Sequence, residues 1–224
     1  MEFTLLWAVL TAVALTWLGL RFWSEDVPEG GFDRLVGAGV AGLLVGRVAA
    51  MALQGINPIT NPADLIIIRG GVHTGAATIA FIAVLSWSTR STRHGLDALS
   101  PAILLGLAGW HAGCLWRGAC LGVPGDLPWA WTLEGSNVTR HPVEIYAAVG
   151  LAAAAWLVSR LGWRLWLRAG IALAAAAAIR LLTEPLRPSI TGGPTLWYWA
   201  GIVGGLVAVA TGWMLPRSEA TAPT

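Results

Sequence analysis

Arg180, Glu184 and Arg187 have the residue types and the spacing that most directly suggest chemistry in this sequence. They occupy positions i, i+4 and i+7 of an apolar segment, so on a helix they would share one face. A guanidinium group binds phosphate through two parallel hydrogen bonds, which would make this face an anion site. The alternative is an Arg180–Glu184 ion pair that only stabilises a helix bundle, and the spacing alone leaves both interpretations open.

Further polar side chains stand at the ends of other apolar segments. A charged group at the centre of a bilayer costs roughly 2.5–3.5 kcal/mol on insertion scales, so such groups face a cavity or a partner. Histidine titrates near neutral pH and can move a proton. We therefore expect a site for an anionic lipid headgroup, where a phosphate group departs and a thiol or alcohol attacks. Its other expected members are His73, His111, Arg117, Arg140, His141 and Tyr146.

The composition indicates that these residues lie in a membrane protein. The chain has 224 residues, of which 56% are hydrophobic and 12% charged, and its mean hydropathy is +0.66. Soluble domains carry about 25% charged residues, and disordered chains are far less apolar, so both classes are excluded. We predict an all-α fold of seven transmembrane helices, because each apolar stretch approaches the ~20 residues that cross the hydrocarbon core. The stretches are about 3–20, 35–53, 71–89, 99–116, 142–162, 166–187 and 194–215.

The basic residues predict how these helices are oriented. All fourteen are arginine. An external N-terminus would put eight on the cytoplasmic side and four outside, with Arg47 and Arg180 inside helices. Because cytoplasmic loops are enriched in Lys and Arg, we predict this orientation, with a cytoplasmic C-terminus and the candidate site at the outer face. The chain would be one embedded domain with an extracytoplasmic loop at 117–138 and a cytoplasmic tail at 216–224. The arginines form no basic run, so nucleic acid is not an expected partner.

Small residues predict where helices pack closely. Gly42 and Gly46, and likewise Gly201 and Gly205, have the small-xxx-small spacing that lets transmembrane backbones approach each other. The alanine run at 174–178 should act in the same way on the sixth helix. These features predict packing and carry no chemistry.

Four segments resemble the bacterial prolipoprotein diacylglyceryl transferases. Residues 140–146 (RHPVEIY) resemble the RHPSQLYE segment of that family, and residues 180–187 (RLLTEPLR) resemble its R-x-x-x-E-x-x-R helix end. Residues 70–75 (GGVHTG) are similar to its GG…HGG segment, and residues 111–122 (HAGCLWRGACLG) to its signature G-R-x-G-N/C-F-x-x-G-x-x-x-G. The order of the segments also agrees, and the resemblance covers roughly residues 35–215.

The resemblance implies an enzyme of the bacterial inner membrane whose site faces the periplasm. It would transfer the diacylglyceryl group of phosphatidylglycerol to the lipobox cysteine in the signal peptide of a prolipoprotein, releasing glycerol phosphate and leaving a thioether. His73, assisted by His111, would deprotonate the thiol, and Arg180 would hold and neutralise the phosphate. No metal or organic cofactor is required. By matching position, the residues that line the same cavity are Arg140, His141, Tyr146, Glu184 and the closing glycine of the signature, Gly122.

The sequence departs from the family pattern at several of these positions. His111 stands where the signature has its arginine, Cys114 where many members have asparagine, and Ala147 where a glutamate follows the tyrosine. A neutral histidine cannot replace a guanidinium as a phosphate clamp, although Arg117 is near enough in sequence to compensate. A diverged relative with another lipid or acceptor and a non-catalytic lipid-binding protein are therefore alternatives.

Two other classes are weighed against an enzyme. The histidines could include an axial haem pair, and Cys114 and Cys120 could cycle as a disulfide, but there is no CxxC motif. We expect the two cysteines to be packing residues. Transporters usually contain repeats and carry their sites near the midplane. Because this chain has no evident repeat and its polar groups gather toward one face, an enzyme is favoured.

Overall fold

Helices account for most of the chain, as the apolar segments predict. The computed structural model describes residues 4–66, 71–92, 94–117, 120–132, 135–188 and 193–215, so the expected tail at 216–224 lies outside the described residues. The longer helices are α1 (Thr4–Phe22), α2 (Gly31–Leu53), α4 (Thr74–Ser88), α5 (Gly95–Ala112), α7 (Val143–Ser159), α8 (Leu167–Thr183) and α9 (Thr195–Met214). The short elements are α3 (Ala63–Ile66), α6 (Cys114–Arg117), strands β1 (Trp131–Thr132) and β2 (Thr139–Arg140), and a 3-10 turn (Glu184–Leu186).

Four helices in the described part of the chain are long and apolar enough to cross a membrane. They are Gly31–Leu53, Gly95–Trp116, Leu167–Leu186 and Thr195–Met214. Three further apolar helices are shorter, namely Leu6–Phe22, Thr74–Ser88 and Val143–Ser159. Each of the seven apolar stretches thus overlaps one of the seven longer helices, and four of these helices reach spanning length.

Helix α5 lies at the centre of the bundle. It contacts α1, α7 and α8, and it contributes buried residues to both hydrophobic clusters of the core. Large apolar side chains on the outer helices are exposed, as a surface in contact with lipid requires; examples are Val40, Leu44, Val149, Leu157 and Val203.

Close helix contacts occur where the small residues predict them. A Cβ atom on Gly42 of α2 would lie 2.8 Å from the carbonyl oxygen of Ala77 in α4. A Cβ atom on Gly201 of α9 would lie 2.8 Å from Cβ of Ala177 in α8. The two glycine pairs and the alanine run therefore pack as expected, and they join α2 to α4 and α8 to α9.

A buried polar cluster fixes the end of the bundle where α5 and α8 begin. The Asp97 carboxylate accepts hydrogen bonds from the backbone N–H groups of Trp166 (2.9 Å) and Ala169 (3.0 Å). Buried Arg168 donates to the carbonyl oxygen of Leu161 from both Nε (3.0 Å) and Nη2 (2.6 Å). Since Leu161 follows the end of α7, α5 and α8 run in one direction and α7 returns. The ends of α5 and α8 and the start of α7 consequently meet at the opposite face.

The connection between α6 and α7 is partly ordered by backbone pairing. Strands β1 and β2 are antiparallel, with Trp131 opposite Arg140 and Thr132 opposite Thr139. The sequence predicted only a long loop at 117–138, and β1 lies within it. The pairing brings the chain back to the start of α7, where the candidate residues are found.

Candidate active site

A buried carboxylate, Glu144, is the centre of the charged cluster at this face. It lies in the first turn of α7. Its Oε2 atom is 2.5 Å from Nδ1 of His111 and 3.7 Å from Nη1 of Arg180, while its Oε1 atom is 2.9 Å from Nη2 of Arg187. Three basic side chains, from the end of α5, the end of α8 and the segment after α8, therefore converge on one acid.

A second buried carboxylate, Glu184, faces the same two arginines. Its Oε2 atom is 4.0 Å from Nη2 of Arg180 and 3.5 Å from Nη1 of Arg187, and it accepts a hydrogen bond from the hydroxyl of Tyr198 at 3.4 Å. Gly193, whose φ is +67°, packs against this carboxylate, and a Cβ atom there would collide with it. Two carboxylates thus balance two guanidinium groups before His111 is counted.

Arg180 is the member of the cluster with unused hydrogen-bonding capacity. Its side chain is only 14% exposed, and its distances to the two carboxylates exceed hydrogen-bond length. Within the described residues, its Nη1 atom is buried and has no hydrogen-bond partner. A buried guanidinium donor left unpaired is costly, so this atom is suited to bind an anionic oxygen.

A second polar group lies on the segments that lead into α7. Nη1 of Arg140 donates to the carbonyl oxygen of Gly122 at 3.1 Å. Nδ1 of His141 is 3.4 Å from the hydroxyl of Tyr146, which also accepts a hydrogen bond from Nε1 of Trp129 at 2.9 Å. Nε of Arg140 is buried without a partner among the described residues. This group supplies a third guanidinium, and in the described part of the chain Arg140 forms no ion pair with a carboxylate.

Backbone contacts of residues 120–123 connect the two groups. The N–H of Gly122 donates to the carbonyl of His141 at 2.7 Å, and that of Val123 donates to the carbonyl of Leu186 at 2.9 Å. The N–H of Glu144 donates to the carbonyl of Cys120 at 3.3 Å. This segment therefore holds the start of α7 against the turn that follows α8.

Cys114 and Cys120 form a disulfide at the edge of the cluster. Both residues are buried, so they pack as expected, but the expectation that they are only packing residues is wrong. The bond joins α6, directly after His111 and α5, to the segment that contains Gly122. It ties together the two parts of the chain that carry the signature motif.

His73 lies beside the charged cluster. Its Nδ1 atom accepts a hydrogen bond from the backbone N–H of Ala76 at 3.1 Å and so caps α4. The backbone N–H of His73 donates to the carbonyl of Gly46 at 2.9 Å. Its ring packs edge-to-face on Trp197, with the ring centroids 5.8 Å apart, and Trp197 directly precedes Tyr198. An open pocket of about 250 Å³ adjoins His73, lined also by Ala50, Leu53, Gln54, Gly71 and Val72.

The arrangement of arginines, histidines and carboxylates can be compared with known proteins. A family described as prolipoprotein diacylglyceryl transferase matches residues 3–215 of this chain. The chain belongs to the prolipoprotein diacylglyceryl transferase family. It is a membrane protein, as its apolar helices and this family indicate.

Individual members of the prolipoprotein diacylglyceryl transferase family are similar to parts of this chain. The phosphatidylglycerol–prolipoprotein diacylglyceryl transferase of Cupriavidus metallidurans is 30% identical over 138 residues, which are 56% of this chain and 51% of that protein. The protein of the same name from Chlamydia trachomatis serovar D is 28% identical over 131 residues, or 53% and 48% of the two chains. A third, from Polaromonas sp., is 23% identical over 176 residues, or 63% and 64%. The chain spans about half the length of the first two relatives.

The structure brings most of the expected site residues together in two neighbouring groups. One contact network contains four of the expected residues, His111, Arg180, Glu184 and Arg187. A neighbouring group contains four others, Arg140, His141, Tyr146 and Gly122. Among the described residues, His73 makes no hydrogen bond or ion pair with either group, and the side chain of Arg117 lies outside the described part of the chain.

Sequence reasoning missed two residues of this cluster, Glu144 and Tyr198. A signal for Glu144 was present, because it stands in the segment RHPVEIY where the similar family segment RHPSQLYE has glutamine. A carboxylate in place of an amide at the start of an apolar helix requires a basic partner, and the structure supplies three. Tyr198 carried no comparable signal, since tyrosine is common at membrane interfaces.

Proposed function

We propose that this protein transfers the diacylglyceryl group of phosphatidylglycerol to the lipobox cysteine of a prolipoprotein, the first step of lipoprotein maturation. Membership of the prolipoprotein diacylglyceryl transferase family supports this activity. The observation that carries the proposal is Arg180, which lies between two carboxylates and whose buried Nη1 atom has no hydrogen-bond partner among the described residues. A lipid phosphate oxygen satisfies that donor, and the bond is charge-assisted.

The charges around Arg180 suit a reaction in which a phosphate group departs. The acceptor thiol loses its proton to a histidine, because the thiolate is the nucleophilic form. The sulfur attacks the glycerol carbon that bears the phosphate ester and forms a C–S bond. The C–O bond to phosphate breaks, and its electron pair leaves with glycerol phosphate, which gains one negative charge. Arg180 stabilises this charge as it develops, together with Arg187 and Arg140.

The membrane placement of the site is part of the proposal. Seven helices cross the inner membrane, with the N-terminus outside, the C-terminus in the cytoplasm and the charged cluster toward the periplasm. The arginine distribution supports this orientation. So does the disulfide between Cys114 and Cys120, since structural disulfides persist in oxidising compartments such as the periplasm. The exposed apolar faces of the outer helices contact lipid.

Transfer from labelled phosphatidylglycerol to a lipobox peptide by the purified protein tests the activity. Labelling of the peptide with release of glycerol phosphate is expected, and a peptide in which serine replaces the lipobox cysteine is the control. Labelling of the serine peptide to the same extent would refute a thiol acceptor. Lipid binding without transfer would instead indicate a diverged family member with another lipid or acceptor, or a non-catalytic lipid-binding protein.

A further inference from the structure

We propose that Glu144 is a positioning residue that holds His111 as the base for the acceptor thiol. This inference rests on the proposed transferase function and deepens it. It also reverses the roles that the sequence suggests, in which His73 is the base and His111 assists. Three observations support it: the bond between Glu144 and His111, the hydrogen bond that occupies His73, and the basic groups around Glu144.

The bond between Glu144 and His111 fixes the tautomer of the imidazole. Oε2 of Glu144 and Nδ1 of His111 are 2.5 Å apart, and both side chains are about nine-tenths buried. An ionised carboxylate has only acceptor oxygens, so Nδ1 must be the donor and carry a proton. The neutral ring then has its free lone pair on Nε2, which is the form that accepts a proton. A carboxylate bonded to Nδ1 also stabilises the imidazolium that forms when Nε2 is protonated.

The hydrogen bond to His73 fixes the opposite tautomer. The backbone N–H of Ala76 is a donor, so Nδ1 of His73 is the acceptor in the 3.1 Å bond that caps α4. The neutral ring therefore carries its proton on Nε2 and presents a donor there. His73 can bind a phosphate or glycerol oxygen, but it can accept a proton only by giving up the helix cap. Of the two histidines, His111 is the one prepared to act as a base.

The groups that face Glu144 keep it in the form that this role requires. From α8 and the segment after it, Arg180 and Arg187 lie within ion-pair distance of Glu144. Glu184 and Tyr198 complete the surroundings through their contacts with these arginines. Two guanidinium groups favour the ionised carboxylate, which is the acceptor for Nδ1 of His111. In the transfer step, the thiol proton passes to Nε2 of His111, and the released glycerol phosphate or water then takes it up.

Kinetics of matched variants test the roles of His111 and Glu144. In His111→Asn, the side-chain amide can still donate to Glu144 but has no basic nitrogen, so we expect kcat to fall about 100-fold or more. The KM for phosphatidylglycerol should stay within about twofold. Glu144→Gln keeps an acceptor oxygen without the charge, and kcat should fall about tenfold or more, with partial recovery in Glu144→Asp. His94→Asn and Glu29→Gln change the same residue types away from the site and serve as controls.

A further variant, His111→Arg, distinguishes two roles of His111: a base for the thiol, or a substitute for the arginine that binds phosphate. It restores the arginine of the family signature, places a permanent positive charge beside Glu144 and removes the proton acceptor. The proposal expects kcat to fall as in His111→Asn. Undiminished turnover in His111→Arg or in His111→Asn would overturn it, because a fixed charge or a hydrogen-bond donor would then suffice.

Nitrogen-15 NMR of the wild-type protein labelled at histidine gives a readout that does not depend on turnover. We expect His111 to carry its neutral-form proton on Nδ1, and its signal should disappear in His111→Asn and change in Glu144→Gln. A neutral His111 protonated on Nε2 would refute the positioning role. If the wild-type protein transfers no lipid to the cysteine peptide, the proposed function fails and this role fails with it. Transfer by the wild type together with full turnover in His111→Asn refutes the role alone.

Discussion

Arg180 and Glu144 lie closer together than Arg180 and Glu184, although the second pair shares one turn of helix. Nη1 of Arg180 is 3.7 Å from Oε2 of Glu144 on α7, and Nη2 is 4.0 Å from Oε2 of Glu184. Neither distance is that of a hydrogen bond. The guanidinium is therefore held by charge from two sides, and its donors are available to a third group.

Arg180→Lys should separate charge from geometry at this position. Lysine keeps the positive charge but loses the planar fork that binds two phosphate oxygens. Because a hydrogen bond to a charged group contributes about 1.5–3 kcal/mol, we expect kcat/KM for phosphatidylglycerol to fall about 10- to 100-fold. Arg180→Ala should lower it further. The transfer assay measures both, and Arg90→Lys, at an exposed arginine that stacks on Trp87, is the control. Equal kcat/KM in Arg180→Lys and wild type would show that the fork is not used.

His73→Asn and His73→Ala should separate helix capping from chemistry. Asparagine can accept the N–H of Ala76 as the imidazole does, whereas alanine cannot, so only His73→Ala should destabilise the protein, by about 1 kcal/mol. Both variants lose the Nε2 donor, so both should transfer lipid more slowly. Thermal unfolding in detergent and the transfer assay report the two effects. Normal transfer in a stable His73→Asn protein would limit His73 to its capping role.

Much of the fold and most of the cluster could be predicted from the sequence. Seven apolar stretches located the seven longer helices, because burying or immersing a helix in lipid requires a continuous apolar run. Arg180, Glu184 and Arg187 could be predicted to lie together because their spacing is set by one helix. Addition of His111 depended on the predicted topology, which put the end of α5 at the same face, and in the structure His111 contacts Glu144.

The remaining contacts could not be predicted because they depend on how distant segments pack. His111 and Glu144 are 33 residues apart, and nothing local specifies their bond. Asp97 and Ala169 are 72 residues apart, so the cap that Asp97 provides at the start of α8 could not be predicted either. The pairing of Cys114 with Cys120 is likewise not encoded by any periodicity of the sequence.

Gly122→Ala should disturb the site through the backbone. A Cβ atom there would collide with the carbonyl oxygen of Leu186 and lie 3.1 Å from Cγ1 of Val143. Leu186 precedes Arg187, which pairs with Glu144, so relief of this clash should displace Arg187 from Glu144. We expect destabilisation of about 1–3 kcal/mol, as for other overpacked sites, with reduced transfer. Gly37→Ala, inside α2 where a Cβ atom meets nothing within 4 Å, is the control; it should leave transfer unchanged and should not lower stability. Unchanged stability and transfer in Gly122→Ala would contradict the close packing at Leu186.

Removal of the disulfide should weaken the connection between α6 and the segment at Gly122. The bond closes a loop with a sequence separation of only 6, and loop-closure entropy then gives about 2 kcal/mol. Cys114→Ser/Cys120→Ser should therefore lower the unfolding midpoint and slow transfer. Treatment with a reductant should shift the midpoint of the wild type toward that of the double variant. The double variant itself should not respond to reductant, and an identical midpoint for oxidised and reduced wild type would contradict a stabilising disulfide.

Asp97→Ala should reduce stability without changing the chemistry, because Asp97 caps α8 at the end of the bundle opposite the cluster. Its carboxylate is 1% exposed and accepts two backbone N–H groups, from Trp166 and Ala169. Asp97→Ala removes hydrogen bonds to a charged acceptor and a favourable charge at a helix N-terminus, so the free energy of unfolding should fall by about 2–4 kcal/mol. Asp97→Asn keeps one acceptor oxygen and should lose about half of that. Thermal unfolding in detergent measures the loss, and Asp33→Asn, at an exposed acid in the first turn of α2, should have little effect.

The kcat of the folded fraction should stay within about twofold of wild type, since a general base and a phosphate clamp contribute far more than that to the rate. A fall in kcat as large as that expected for His111→Asn would mean that the two ends of α5 and α8 are coupled, and the cluster could not then be treated as a self-contained site.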